Sequence, residues 1–335
     1  MPGTDPAEAM RLVVGELPDL PHLPELPGRG PGAGLTGRTA ALLVDMPAEL
    51  TASGWRFTVR PGRDLRRARD LLSADLDALE EAAAGYRGPL KVQAAGPWTL
   101  AATVELIRSQ ERALADPGAV ADLTESLSEG LRSHLEEVRK RVPGAQLLLQ
   151  LDEPSLPGVL AGELRSASGL YRLPPPETAD VENRLGAVIA ATAVYSIVHC
   201  CAMSVPFGII KGAGANAIGF DLDRLSQRGE EALAETVEAG LGILAGVVPA
   251  VPGPAAGPEP GSRAGQQPAP VRAVAERVIE LWRRMGWPAA SGAAAPGRSG
   301  VARQVVLTPG CGLAGALPGY AREALARCQQ AARLL

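Results

Sequence analysis

Apolar and polar positions follow two rhythms along this chain. An amphipathic run opens at Asp5-Pro6, an N-cap followed by proline in the first turn, and continues to about Glu16. A proline-punctuated extended piece at 20–27 follows, then a helix near 36–43, a hairpin-like excursion at 55–59 and a long charged helix at 64–84. From there the pattern becomes regular. Short β-branched or leucine-rich runs recur at 90–94, 146–151, 195–198, 217–220, 242–248 and 304–307, with helical patterns between and after them. Strands separated by helices predict parallel βαβ units. With 20–27 included they make seven strands, one short of a closed eight-fold barrel. The expected fold is α/β, a (βα)8 TIM-like barrel whose first strand is missing or truncated at the N-terminus, in a single domain over 1–335. Two stretches rich in Pro, Gly and Ala, 249–270 and 288–303, lack apolar periodicity and are expected to be surface loops.

Composition narrows the function classes. A chain of 335 residues with 46% hydrophobic content buries a sizeable core. The net charge of -4 and pI near 5.6 give no electrostatic footprint for nucleic acid, and the arginines at 63–69 are interleaved with Asp and Leu as on a solvated helix face. Four cysteines, two of them adjacent, do not form a secreted disulfide pattern, and the start of the chain has no basic and apolar export signal, so a cytoplasmic location is expected. The stretch 185–210 lacks Asp, Glu, Lys and Arg and has the length of a membrane span. Its second half is β-branched and holds His, Ser and two Cys, which fits a buried helix followed by a buried strand, with no membrane partner.

Candidate chemistry lies in two distant segments, Val194-Tyr-Ser-Ile-Val-His199-Cys200-Cys201 and Val305-Val-Leu-Thr-Pro-Gly-Cys311-Gly-Leu. Alternate side chains of a strand share a face, so His199 and Cys201 project together while Cys200 points away. One imidazole, one thiolate, a second thiolate from Cys311 and a carboxylate make the ligand set of a tetrahedral zinc site. Asp152-Glu153 and Asp221 also stand at strand C-termini, the face on which barrel active sites are built. Asp223, two residues on, shares the face of Asp221, and either also reads as a solvated carboxylate. Cys328, His22 and His134 are read as structural, and Gly30–37 lacks the Lys-Ser/Thr of a phosphate loop.

Lys91-Val-Gln-Ala-Ala-Gly96-Pro97-Trp-Thr99, Leu149-Gln-Leu-Asp152-Glu153-Pro154, His199-Cys-Cys201, the strand ending at Asp221, and Pro309-Gly-Cys311-Gly-Leu occur in an order that resembles the C-terminal catalytic barrel of cobalamin-independent methionine synthase. The wider group includes uroporphyrinogen decarboxylase and coenzyme M methyltransferases. The resemblance spans nearly the whole chain. It implies zinc held by His199, Cys201, Asp221 and Cys311, with Asp221 in place of the usual Glu, and Asp152 gripping the amino group of homocysteine. The implied activity is methyl transfer to a thiol, homocysteine to methionine. The donor is methyltetrahydrofolate or a methyl-corrinoid, the latter with a corrinoid protein as partner. Two departures stand out: the chain begins at Met1-Pro2-Gly3, as if within the family's Gly-Ser-Phe-Pro turn, and no Asp-Ile-His-Ser segment follows the strand at 242–248 to supply an acid. The alternatives are a degenerate zinc-binding barrel and a decarboxylase-like enzyme, which needs cations around a carboxylate-rich substrate.

Overall fold

The computed structural model describes residues 1–252, 267–287 and 305–335. The first helix, α1 (Pro6–Glu16), starts at Asp5, whose carboxylate accepts hydrogen bonds from the Ala7 and Glu8 amides. In the next segment the expected strand at 20–27 reduces to one parallel bridge, His22 to Lys91. Leu23 N–H donates to Lys91 O and Lys91 N–H donates to Pro21 O. Pro18, Pro21, Pro24 and Pro27 have no N–H, so the ladder cannot lengthen in either direction.

Helix α2 (Leu35–Ala40) leads into an antiparallel hairpin, β1 (Ala48–Thr51) and β2 (Gly54–Phe57), where the sequence indicated only an excursion at 55–59. Helix α3 (Arg63–Ala82) packs its buried face, Leu65, Ala68, Leu72, Leu76 and Leu79, beneath α1 and α2.

The regular part runs β3 (Gly88–Ala95), α4 (Pro97–Thr103), α5 (Pro117–Arg141), β4 (Ala145–Asp152), α6 (Leu156–Leu160), α7 (Thr178–Thr192), β5 (Tyr195–Cys200), α8 (Phe207–Gly212), β6 (Ala217–Asp221), α9 (Gln227–Glu238), β7 (Gly242–Val248), α10 (Val271–Arg284), β8 (Val305–Pro309) and α11 (Pro318–Ala332). The six strands β3 to β8 pair in parallel and in sequence order, as the alternation of strand and helix predicts. Most of the two low-complexity stretches, 253–266 and 288–303, and Gln304 of the expected last strand lie outside the described residues. No helix among the described residues is long and apolar enough to cross a membrane.

The sheet is strongly curled. Cys201 follows β5 and Cys311 follows β8, and in a flat sheet those strands would stand roughly 14 Å apart, three spacings of about 4.8 Å. Their sulfurs are 3.2 Å apart. The convex face carries Leu149, Leu151, Val198, Ile218 and Phe220 into the main core under the helices. The concave face is apolar only low down, where Leu148, Ile197, Ala217 and Leu244 form a small separate cluster. Above that layer come Gln93 and Gln150, which are register partners, and then Asp152 and His199, which are partners in turn.

Among the described residues no strand pairs with the outer edge of β8, so the architecture is a partial TIM-like barrel. Helix α1 spans the opening on the outside. It packs on α3 and on α11, and an ion pair of 2.7 Å joins Glu16 to Arg322.

Candidate metal centre

The ends of the strands place the functional side chains. Asp152 closes β4, His199 is the penultimate residue of β5, Cys201 follows it, Asp221 closes β6, and Cys311 lies two residues beyond β8. His199 pairs with Gly219 on the neighbouring strand. A Cβ at 219 would lie 2.8 Å from His199 Nδ1, so glycine is required there for the imidazole to lie over the sheet.

Ligand atoms of His199, Cys201 and Cys311 all lie within 4.8 Å of one another, the one such group of His, Cys, Asp or Glu among the described residues. The Cys201 thiol hydrogen-bonds Cys311 Sγ, and His199 lies beside it. Together these hold the Cys311 thiol down at about 4, while the same hydrogen bond and burial push Cys201 well above its ordinary value. The shared hydrogen bond thus favours ionisation of one sulfur of the pair, toward the thiolate form that binds a soft cation.

The donor set suits zinc. With Zn–S near 2.3 Å, sulfurs on a tetrahedral ion lie roughly 3.8 Å apart, so a separation of 3.2 Å requires an opening of about half an ångström. Cys200 is fully buried on the opposite face, where burial raises its thiol to about 12. Replacing Cys200 with serine is expected to cost about 1–3 kcal/mol through a poorly satisfied hydroxyl and to leave metal content unchanged, as read by thermal melting and elemental analysis.

Asp221 is engaged elsewhere. Its Oδ1 accepts from the Asp223 amide at 3.0 Å, capping the turn Leu222–Arg224, and Oδ2 faces Arg224 Nε at 3.4 Å. The carboxylate rests against Gly310, where a Cβ would approach it to 3.0 Å. It thus stands beside the Cys311 turn but outside the three-atom cluster. Asp223 pairs with Arg277.

Asp152 opens onto the concave face. Burial raises its carboxyl, opposed by His199, by Lys91 and by a 2.7 Å hydrogen bond from Gln150 Nε2. Its neighbour Glu153 turns the other way and is fully buried. Glu153 Oε1 accepts from the Trp98 amide, and Oε2 accepts from the Thr99 amide and hydroxyl, while burial pushes the carboxyl up to about 7 against those donors. A Cβ at Gly96 would lie 2.2 Å from Glu153 Oε1, so the Gly96-Pro97 turn has to be bare. Glu153 locks the end of β4 to the start of α4 and so fixes where Asp152 stands.

The chain is similar in fold to a solved B12-independent methionine synthase from Shewanella sp. W3-18-1 in complex with selenomethionine. The TM-score is 0.58 at 12% identity, over 98% of this chain and 87% of that one. No protein-family model and no curated protein matches the sequence. The likeness establishes the barrel-type fold; the chemistry has to be argued from the side chains.

Two charged residues at the site were not singled out from sequence. Lys91 and Glu25 flank the concave face below Asp152, and His22 joins them through its bridge to Lys91. Burial and the Lys91 charge push the His22 imidazole well below its ordinary value, so it is neutral. The available signal was period-two spacing: Lys91 and Gln93 share a face of a strand that is otherwise Leu, Val and Ala.

Proposed function

We propose that this chain is a zinc-dependent S-methyltransferase whose acceptor is a small amino thiol of the homocysteine type, acting as a single barrel over 1–335. The observation that carries this reading is the convergence of His199, Cys201 and Cys311 at the C-terminal end of the sheet, with Asp152 as the register partner of His199. Bound there, zinc would supply one thing: it would hold a substrate thiol as thiolate, in line with a methyl donor of the folate or corrinoid class. The three side chains leave one position of a tetrahedral ion for that sulfur, and Asp221, which rests against Gly310 beside the Cys311 turn, would fill it when no thiol is present. As zinc ligands Cys311 and Cys201 would give the site electron-rich sulfur donors, which preserve the nucleophilicity of a substrate sulfur. Asp152 is desolvated and, among the described residues, makes no ion pair, a cost that a substrate ammonium would relieve.

Two carboxylates, Asp152 and Glu25, stand on this face; besides Lys91 the cations near them are the Met1 ammonium and Arg38, which is paired with Asp75, a balance that does not concentrate cations as the carboxylate-rich substrates of a decarboxylase-like enzyme require. A purely structural zinc is the other outcome of the test. Titration calorimetry of zinc-loaded protein with homocysteine is expected to show saturable binding. Asp152→Asn is expected to weaken it by about 1–3 kcal/mol, the range for losing a hydrogen bond to a charged group, with zinc retained. Absence of heat from homocysteine at full zinc occupancy would leave the structural-zinc reading.

The role of Asp221 separates two versions of this centre. If the three-donor version holds, Asp221→Asn keeps close to the wild-type zinc content after dialysis. Metal loss comparable to that of a cysteine variant would make Asp221 a permanent ligand.

A further inference from the structure

Beneath the cluster, the concave face holds ionisable groups with too few partners. Lys91 Nζ makes one side-chain hydrogen bond among the described residues, to Gln93 Oε1 at 3.5 Å, the outer limit of such a bond, although an ammonium carries three donors. Gln93 is fixed by donating its Nε2 to Leu23 O at 2.7 Å, so its oxygen is held toward the lysine and the lysine head toward the well. Glu25 Oε1 is buried with no hydrogen-bond partner. Asp152 receives one amide, from Gln150. Burial raises Glu25 and Asp152 and lowers Lys91; Arg38 and Lys91 pull against it at Glu25 and His199 and Lys91 at Asp152, while the two carboxylates repel each other.

The order of these groups is informative. Asp152 is the register partner of His199 at the top of its strand, and Lys91 is the partner of Leu148, four residues lower, with Asp152 and Glu25 as the carboxylates acting on it. From the mouth inward the sequence is sulfur and imidazole, then a carboxylate, then an ammonium with a second carboxylate. A lone ammonium ligand would answer only the two acids, and a lone carboxylate would be repelled by them. An α-amino acid presents both charges on one carbon.

We infer that Lys91 is the specificity-determining residue that receives the carboxylate of the acceptor, so that the well selects an α-amino acid thiol over an aminothiol lacking the carboxylate. This rests on reading the centre as a thiol site. With the substrate ammonium on Asp152 and its carboxylate on Lys91, the sulfur is directed back toward His199, Cys201 and Cys311. No bond is made or broken by Lys91.

The experiment is titration calorimetry of zinc-loaded protein with L-homocysteine and with 3-aminopropane-1-thiol, which has the same thiol and amine but no carboxylate. Wild type is expected to favour homocysteine by roughly 10- to 100-fold, the worth of one charge-assisted hydrogen bond. Lys91→Met should bring the two ligands to near parity, and Lys91→Arg should restore part of the preference, with zinc content and circular dichroism unchanged in both. The inference is overturned if wild type does not discriminate, or if Lys91→Met binds homocysteine with its preference intact. If neither thiol binds zinc-loaded wild type, the thiol-site reading fails and the role of Lys91 falls with it. Because the wild-type comparison needs no variant, an unstable Lys91→Met would not shelter the proposal.

Discussion

Replacing both Cys201 and Cys311 with serine is expected to abolish tight zinc binding. A serine hydroxyl stays protonated near neutrality and is a hard, weak ligand where a soft anionic one stood. Removing even an outer-shell partner of a metal site lowers affinity about 10- to 100-fold, so losing both sulfurs should exceed that range. The measurement is zinc per chain by elemental analysis after dialysis against a weak chelator. Each single variant should show a partial loss, since zinc takes both sulfurs as thiolates. Cys200→Ser serves as the control, since it alters the same motif on the opposite face of the strand. Unchanged zinc in the double variant would remove the metal centre from this fold.

The second large effect is acid destabilisation through His134. This residue lies on the buried face of α5, 6% exposed, and burial with the nearby Arg38 charge depresses its imidazole to about 3. The sign follows from linkage. The folded value lies below that of an unfolded histidine, so the contribution is fully present above about pH 6.5 and is lost as pH falls toward 3. A shift of that size corresponds to roughly 4–5 kcal/mol at the acid limit. Denaturant melts of wild type and His134→Gln at a series of pH values should therefore converge on acidification, with most of the change between pH 6.5 and pH 3. Parallel curves would show that His134 does not titrate with unfolding.

The strands were legible because parallel strands buried on both faces are continuous apolar runs; the segments at 145–152, 195–200 and 242–248 differ from their sequence boundaries by at most a few residues. The piece at 20–27 was not, because leucines between prolines look extended while the prolines forbid a ladder. His199, Cys201 and Cys311 were legible as a group because strand alternation gives the side of each ligand and strand ends give its height. Asp221 was placed correctly on its strand. Its hydrogen bonds to the following turn were invisible, because a carboxylate at a strand end caps a turn or binds a metal with the same sequence signature. Lys91 and Glu25 escaped notice for another reason. Pattern analysis assigns a charged residue in a short run to solvent by default, and only the curl of the sheet shows that their surroundings are an interior.

That curl has a mechanical consequence. The two sulfurs come from the ends of strands separated by two others, so any ion gripped by both acts as a clasp across half of an incomplete hoop. Clasp tension and sheet curvature are then reciprocal: whatever flattens β5 to β8 must loosen the ion, and an ion bound with a given affinity must resist flattening by the same free energy. The affinity of this chain for zinc would therefore report the shape of a sheet that, among the described residues, no strand-to-strand hydrogen bond closes.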